Sequence, residues 1–229
     1  MGTHLKSRVH LKPASYVSLQ LALGLLVLIG ATGLFIAIAE DVVTGDPLTQ
    51  LDVNISNWLN ARGKPPLITA MLLVSDLHST PVVVSITIAI GVYLLWQKKN
   101  LWAVFLGLSV FGGIVLNLLL KNIFHRERPR LYHPILTLST YGFPSGHTML
   151  ATVFYTSVAA LLVSRAAAWR NRLLIIIGAG ILILLVGFSR IYLGAHYLSD
   201  VLGAIAEGLA WVALCYTAVR LAWHWRTRR

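Results

Sequence analysis

Val17–Ala39 reads VSLQLALGLLVLIGATGLFIAIA and carries no charged side chain. A helix rises 1.5 Å per residue, so this stretch is long enough to cross a hydrocarbon core roughly 30 Å thick. It is too long for the apolar region of a signal peptide, and no small-residue cleavage site leading into a soluble body follows it. The same reading extends outward along the chain, predicting six spans at about 17–39, 80–97, 101–124, 147–164, 173–190 and 197–219. The 229 residues are 57% hydrophobic and 12% charged, against about 25% charged in soluble domains. The expectation is an all-α, polytopic membrane protein: a six-helix transmembrane bundle forming a single domain over residues 1–229.

The net charge of +11 would suggest nucleic acid in a soluble chain. In a membrane chain, basic residues hold loops on the cytoplasmic side, so the partner read from the charge is the lipid bilayer and not nucleic acid. With the N-terminus inside, the cytoplasmic segments hold Lys6, Arg8, Lys12, Lys98, Lys99, Arg165, Arg170, Arg172, Arg220, Arg226, Arg228 and Arg229, and no acid. Glu40, Asp41, Asp46, Asp52, Asp76 and Glu127 fall on the opposite side, and Asp200 and Glu207 lie in the last span. This partition predicts both termini in the cytoplasm, in a cytoplasmic (inner) membrane. Pro65–Val74 is apolar but short, which suits an interfacial or re-entrant segment. Leu48–Leu59 alternates apolar and polar residues at roughly helical spacing, and the two read as short helices on the outer face. The single cysteine, Cys215, cannot form an intrachain disulfide and says nothing about compartment.

Seven basic residues remain on the outer side: Arg62, Lys64, Lys121, Arg126, Arg128, Arg130 and Arg190. Five of them fall in or beside three polar clusters at span ends. The first cluster runs from Lys121 through Arg128 to Pro129. Two cations at this depth without a run of acids favour an anion site, the guanidinium offering a planar fork and the ammonium a mobile point charge; snorkelling at a helix end is the competing reading. The second, Phe143-Pro144-Ser145-Gly146-His147-Thr148, opens the fourth span. A helix N-terminus has free N–H groups and the positive dipole end that favour an oxyanion, and Gly146 permits close backbone approach. An ordinary capped helix with a surface histidine fits equally well. The third runs from Ser189-Arg190 to His196 and Asp200. His196 and Asp200 are four apart and share a helix face. A carboxylate there fixes the imidazole tautomer and leaves the other nitrogen free as a nucleophile, or the pair is simply structural.

All three clusters lie at outer span ends, so a bundle can gather them into one pocket suited to phosphoryl transfer. The patterns K-x6-R-P, P-S-G-H and S-R-x5-H-x3-D resemble the three-part signature of the type 2 phosphatidic acid phosphatase superfamily. They stand here as Lys121…Arg128-Pro129, Pro144-Ser145-Gly146-His147 and Ser189-Arg190…His196…Asp200. The motifs cover about 80 residues, and the first two spans with the 40–79 region resemble the family in arrangement only. The resemblance implies that His196 attacks phosphorus, oriented by Asp200, and that His147 protonates the leaving oxygen and then activates water. It implies that Lys121, Arg128, Arg190, Ser145 and the Gly146 amide hold the phosphate oxygens, with no metal or other cofactor. The implied activity is hydrolysis of a phospholipid or polyprenyl phosphate, with undecaprenyl pyrophosphate, phosphatidylglycerol phosphate, phosphatidic acid and lipid A as candidate substrates at the outer membrane face.

Other residues carry less. His125, Arg126, Glu127 and Arg130 read as a solvated loop that can also shape headgroup selection. Glu207, seven residues after Asp200, reads as a buried neutral acid or a member of a polar network. Trp96, Trp102, Trp169 and Trp223 are interfacial-belt candidates. A lipid phosphotransferase would need the same phosphohistidine residues. A transporter would instead spread polar residues through the midplane, whereas these cluster at one face.

Overall fold

The computed structural model describes residues 13–45, 47–131, 135, 136, 138 and 140–226, with only the backbone described for 13–19. Of the charge partition read from the sequence, Lys6, Arg8, Lys12, Asp46, Arg228 and Arg229 lie outside the described residues. Among those described, all regular structure is helical: α1 (Pro13–Thr44), α2 (Pro47–Asn60), α3 (Pro65–Leu77), α4 (Thr80–Trp96), α5 (Asn100–Phe124), α6 (Gly146–Val163), α7 (Trp169–Tyr192) and α8 (Leu198–Arg226). α1, α2 and α3 each begin on a proline, whose fixed φ suits a first helical turn where its missing N–H costs nothing. Two non-glycine residues in left-handed conformation end helices, Lys98 after α4 and His125 after α5. The His125 N–H closes α5 on the Lys121 carbonyl at 3.1 Å. The chain then turns back toward the bundle instead of continuing outward.

Five helices are long and apolar enough to cross a membrane: α1 from Gln20, α5, α6, α7 and α8. α3 and α4 meet that test together, bent by 44° at the break between them. The protein is therefore an all-helical, multi-pass membrane protein. α3 is one arm of this bent pair, which is either a broken span or a re-entrant segment, and its Met71 joins a buried cluster with Leu59, Ile191, Tyr192 and Leu193. The break falls at His78–Ser79, just before Pro81 in the first turn of α4, where a proline removes the N–H that a continuous helix would need.

α6 sits at the centre. Its buried residues Met149, Leu150, Val153, Phe154 and Leu161 join a core with Phe105, Leu106 and Val110 of α5 and with Val212 and Val219 of α8. In a bilayer, helices associate by close packing and hydrogen bonding because lipid tails are as apolar as leucine. Gly208 shows the packing: a Cβ there would lie 2.8 Å from Thr152 Cβ and Cγ2, so only glycine lets α8 meet α6 so closely. The Thr152 hydroxyl returns its proton to the Thr148 carbonyl at 2.8 Å, which satisfies a polar group in an apolar interior. On the outer surface Leu26 and Ile29 of α1, Val92 of α4, Ile123 of α5, and Leu174 and Leu184 of α7 are all exposed. Such a continuous apolar surface is stable only against lipid.

α1 lies along α8 in the opposite sense. The Arg220 guanidinium donates to the Gln20 amide oxygen, so the start of α1 is beside the end of α8. Exposed Trp96, Trp169 and Trp223 lie at helix termini on that end, as a membrane-interface belt requires. Trp102 departs from the expected belt: it is half-buried, with its ring 5.8 Å from Phe105 and 6.4 Å from Tyr216. The connections α5–α6 and α7–α8 lie at the other end, and all three sequence clusters are there.

Candidate active site

Four chain segments build the site. Lys121 is in the last turn of α5, and its ammonium donates to the Tyr141 carbonyl at 2.8 Å. Arg128 follows the left-handed turn at His125. Its Nε donates to the Thr140 carbonyl at 2.6 Å and its Nη1 to the Ala195 carbonyl at 2.7 Å, which pins the guanidinium plane. Ser145 is the N-cap of α6, fully buried, with its hydroxyl 3.0 Å from that of Thr148. Its N–H donates to the Asp200 carbonyl at 3.0 Å, tying the start of α6 to the start of α8. Gly146 is the first residue of α6, and a Cβ there would stand 3.4 Å from Asn117 Oδ1 and 3.8 Å from Lys121 Cε. The lysine stem therefore lies beside Gly146.

The α7–α8 connection carries the remaining groups. Gly194 takes a positive φ of 66°, which glycine adopts without steric penalty. The tight turn it makes lets the Ala195 N–H donate to the Arg190 carbonyl at 3.0 Å and the His196 N–H to the same oxygen at 3.2 Å. Arg190 is buried, and one Nη donates to Ser75 at the end of α3. Its Nε has no hydrogen-bond partner among the described residues. An unpartnered guanidinium N–H in a buried site is costly.

His196 is 2% exposed and lies between two groups. Arg128 Nη1 is 3.2 Å from its Nε2, and Asp200 Oδ2 is 3.4 Å from its Nδ1. A guanidinium can only donate, so Nε2 must present a lone pair and the ring proton sits on Nδ1, facing the carboxylate. The geometry thus selects the tautomer with a basic Nε2. His147, in the first turn of α6, interacts electrostatically with Arg190, His196, His78 and Arg128. All eight sequence-predicted site residues are therefore found at one end of the bundle, with Lys121, Arg128 and Arg190 as its cations.

Burial pushes His196 down to about 4, against the hydrogen bond and charge of Asp200, which act to raise it. Burial also lowers Arg128, partly offset by Asp200. For His196 the folded value lies below the ordinary 6.5, so between those values the unfolded chain binds the extra proton. Its contribution to stability is present above pH 6.5 and is lost as pH falls toward 4, amounting to up to about 3 kcal/mol. Thermal unfolding in detergent should therefore show wild type losing stability relative to His196→Gln across that window. A constant difference would contradict a neutral buried imidazole.

Several partners of the site escaped sequence reading. Arg126 was expected in a solvated loop. Its side chain is only 11% exposed, with Nη2 2.8 Å from Asp52 Oδ2 and Nη1 2.6 Å from Asp200 Oδ1. Glu127 and Arg130 do form a solvated pair, 2.6 Å apart and highly exposed. Asp52, on α2, is buried and accepts from the Ser199 N–H at 2.9 Å and from the Ser199 hydroxyl. For Glu207, read as a buried neutral acid or a member of a polar network, only the partner was missed: it accepts from Asn117 Nδ2 at 3.0 Å. His78 is 2.7 Å from both the Val74 carbonyl and the Tyr155 hydroxyl. The local signals available were small: Arg126 precedes Arg128 by two residues, and Asp52 is an isolated acid in an amphipathic stretch.

The chain is similar to known proteins over these same elements. The PAP2 superfamily matches residues 102–224. Phosphatidylglycerophosphatase B of Bacillus subtilis (strain 168) is 32% identical over 178 residues, which span 77% of this chain and 87% of that protein. Undecaprenyl-diphosphatase BcrC of the same organism is 35% identical over 117 residues, 49% of this chain and 54% of that one. The crystal structure of a transmembrane PAP2-type phosphatidylglycerolphosphate phosphatase from Bacillus subtilis superposes with a TM-score of 0.75 at 28% identity, covering 82% of this chain and 94% of its own. With the family matched across the site-bearing helices and a relative aligned over most of both chains, this chain belongs to the PAP2 superfamily and is a membrane phosphatase.

Proposed function

We propose that the protein hydrolyses lipid phosphate or pyrophosphate monoesters through a phosphohistidine on His196, with phosphatidylglycerol phosphate as the first candidate substrate and undecaprenyl pyrophosphate as the second. The observation that carries this reading is the setting of His196: a basic Nε2 beside Arg128, a carboxylate on Nδ1, and an unpartnered Arg190 Nε nearby. The choice of lipids rests on the relatives: similarity to phosphatidylglycerophosphatase B spans most of the chain, and similarity to the undecaprenyl-diphosphatase spans about half.

In the proposed cycle the phosphoryl group enters among Lys121, Arg128, Arg190, Ser145 and the Gly146 N–H, and its oxygens take over Arg128 Nη1 from His196. The Nε2 lone pair then forms the N–P bond as the P–O bond to the lipid breaks. A protonated His147 gives its proton to the departing oxygen, so no free alkoxide is released. His147, now neutral, takes a proton from water, whose oxygen attacks phosphorus as the N–P bond breaks. Inorganic phosphate leaves and Nε2 regains its lone pair. Three fixed cations oppose the charge on the equatorial oxygens, so the cycle needs no metal. The basic loops at the opposite end of the bundle (Lys98, Lys99, Arg165, Arg170 and Arg172) support an outward-facing site by the positive-inside rule, with both termini in the cytoplasm.

The test is phosphate release by the purified protein in EDTA across a panel of phosphatidylglycerol phosphate, undecaprenyl pyrophosphate, phosphatidic acid and lipid A. Turnover of the first two is expected to persist in EDTA. Loss of all activity on chelation, restored by a divalent metal, would overturn the metal-free cycle.

A further inference from the structure

Asp200 is held by more than its histidine. Its Oδ1 receives Arg126 Nη1 at 2.6 Å, and its Oδ2 receives the Tyr197 N–H at 2.9 Å, both closer than the 3.4 Å to His196 Nδ1. The same guanidinium reaches Asp52 through its other nitrogen at 2.8 Å, and its carbon lies 4.8 Å over the Tyr197 ring. Asp52 in turn holds Ser199 by its N–H and its hydroxyl, directly beside Asp200. Both carboxylates are buried. Between them they keep Arg126 protonated, raising it against the burial that acts to lower it. An isolated buried carboxylate is expensive, so Asp52 and Asp200 are each tolerable because one cation serves both.

We infer that Arg126 and Asp52 are positioning residues for the reaction: together they aim the Asp200 carboxylate at His196 Nδ1, and α2 is thereby part of the catalytic apparatus. The inference rests on the reading of His196 as nucleophile. The physical reason lies in the fork. Arg126 presents two donors in one plane and can bridge two carboxylates at fixed separation. With Oδ1 taken by Arg126 and Oδ2 anchored on the Tyr197 N–H, Asp200 cannot rotate, so one lone pair stays directed at the imidazole. Asp52 sets the other end of the bridge from a helix that lies outside the 102–224 segment shared across the family. Lysine cannot replace this fork, because a single ammonium does not hold two carboxylates in one plane.

The test is the single-turnover rate constant for phosphoryl transfer to enzyme, which does not depend on the fraction of active protein. Asp52→Asn keeps side-chain volume but removes the charge, and Arg126→Lys keeps the charge but removes the fork. Each is expected to slow phosphoryl transfer by about 10- to 100-fold, as loss of an orienting partner does elsewhere. Inhibition by inorganic phosphate should change by less than about 3-fold, because neither residue is among those proposed to hold the anion. Rates within about 2-fold of wild type for both variants would overturn the inference, as would a parallel loss of phosphate affinity. If Asp52→Asn does not fold, Arg126→Lys alone decides by the same constant. His196→Ala measured alongside separates the two levels of the argument. Turnover by that variant would sink the nucleophile reading itself, whereas a dead His196→Ala with normal Asp52→Asn and Arg126→Lys would sink only the positioning role.

Discussion

His196→Ala is expected to abolish lipid phosphate release, with a loss of at least ~10⁴-fold, while the helical bundle persists. In the proposed cycle His196 is the attacking residue, and removing such a residue leaves only binding and charge stabilisation, with losses that reach about 10⁶-fold elsewhere. Among the described residues, no other histidine at this end has the same setting. His147 is at the start of α6 and depends on the same cations, whereas His196 alone combines a carboxylate on Nδ1 with an Nε2 facing Arg128. The substitution removes two contacts from a side chain 2% exposed, so it should lower stability by roughly 1–3 kcal/mol without unfolding the protein. His196→Gln fills more of the space and serves as a second variant. The measurement is initial phosphate release from phosphatidylglycerol phosphate in detergent micelles, together with trapping of an acid-labile, alkali-stable phosphoenzyme. Turnover above about a tenth of wild type would remove His196 from the mechanism.

Asp200→Asn should cost about 10³- to 10⁴-fold in the rate of phosphoryl transfer, with little change in substrate affinity. An aspartate-to-asparagine change in the serine-protease triad costs about 10⁴-fold through the wrong tautomer, and the same reasoning holds here. Each Asp200 oxygen now faces donors: Arg126 on Oδ1, and Tyr197 N–H with His196 Nδ1–H on Oδ2. An amide has one NH₂ face, so one set must meet a donor. If NH₂ turns toward His196, the ring proton moves to Nε2, where it faces Arg128 and the lone pair needed for attack is lost. If NH₂ turns toward Arg126, the buried cation loses a charged partner. Single-turnover phosphorylation measures the loss, and a rate within about 10-fold of wild type would show that the carboxylate does not govern the tautomer.

The two kinds of information separate cleanly by range. Val17–Ala39 and the other apolar runs declare themselves because crossing a bilayer is a property of a contiguous segment, decided by length and absence of charge. The eight candidate site residues could be singled out for a related reason: each cluster is compact, and its residue types suit phosphate chemistry. Even so, sequence left snorkelling lysines, a capped helix and a structural His–Asp pair open, because cluster composition does not reveal what faces what.

Tertiary structure alone decided those facings. Arg126 looked like loop charge because its neighbours Glu127 and Arg130 form a solvated pair, yet it bridges residues 74 positions away on either side. Asn117 with Glu207, Ser75 with Arg190, and Asp52 with Ser199 are likewise remote in the chain. α3 was ambiguous because ten apolar residues fit an interfacial or a re-entrant segment, and only the structure shows it bent by 44° against α4 and sharing a buried cluster with Ile191 and Tyr192. What the sequence determined by itself was the all-helical, multi-pass class and a set of candidate residues for phosphate, since hydropathy and side-chain chemistry are local. Which nitrogen of His196 is basic, and which cation steadies Asp200, depend on helices meeting across the bundle, and no local pattern encodes that meeting.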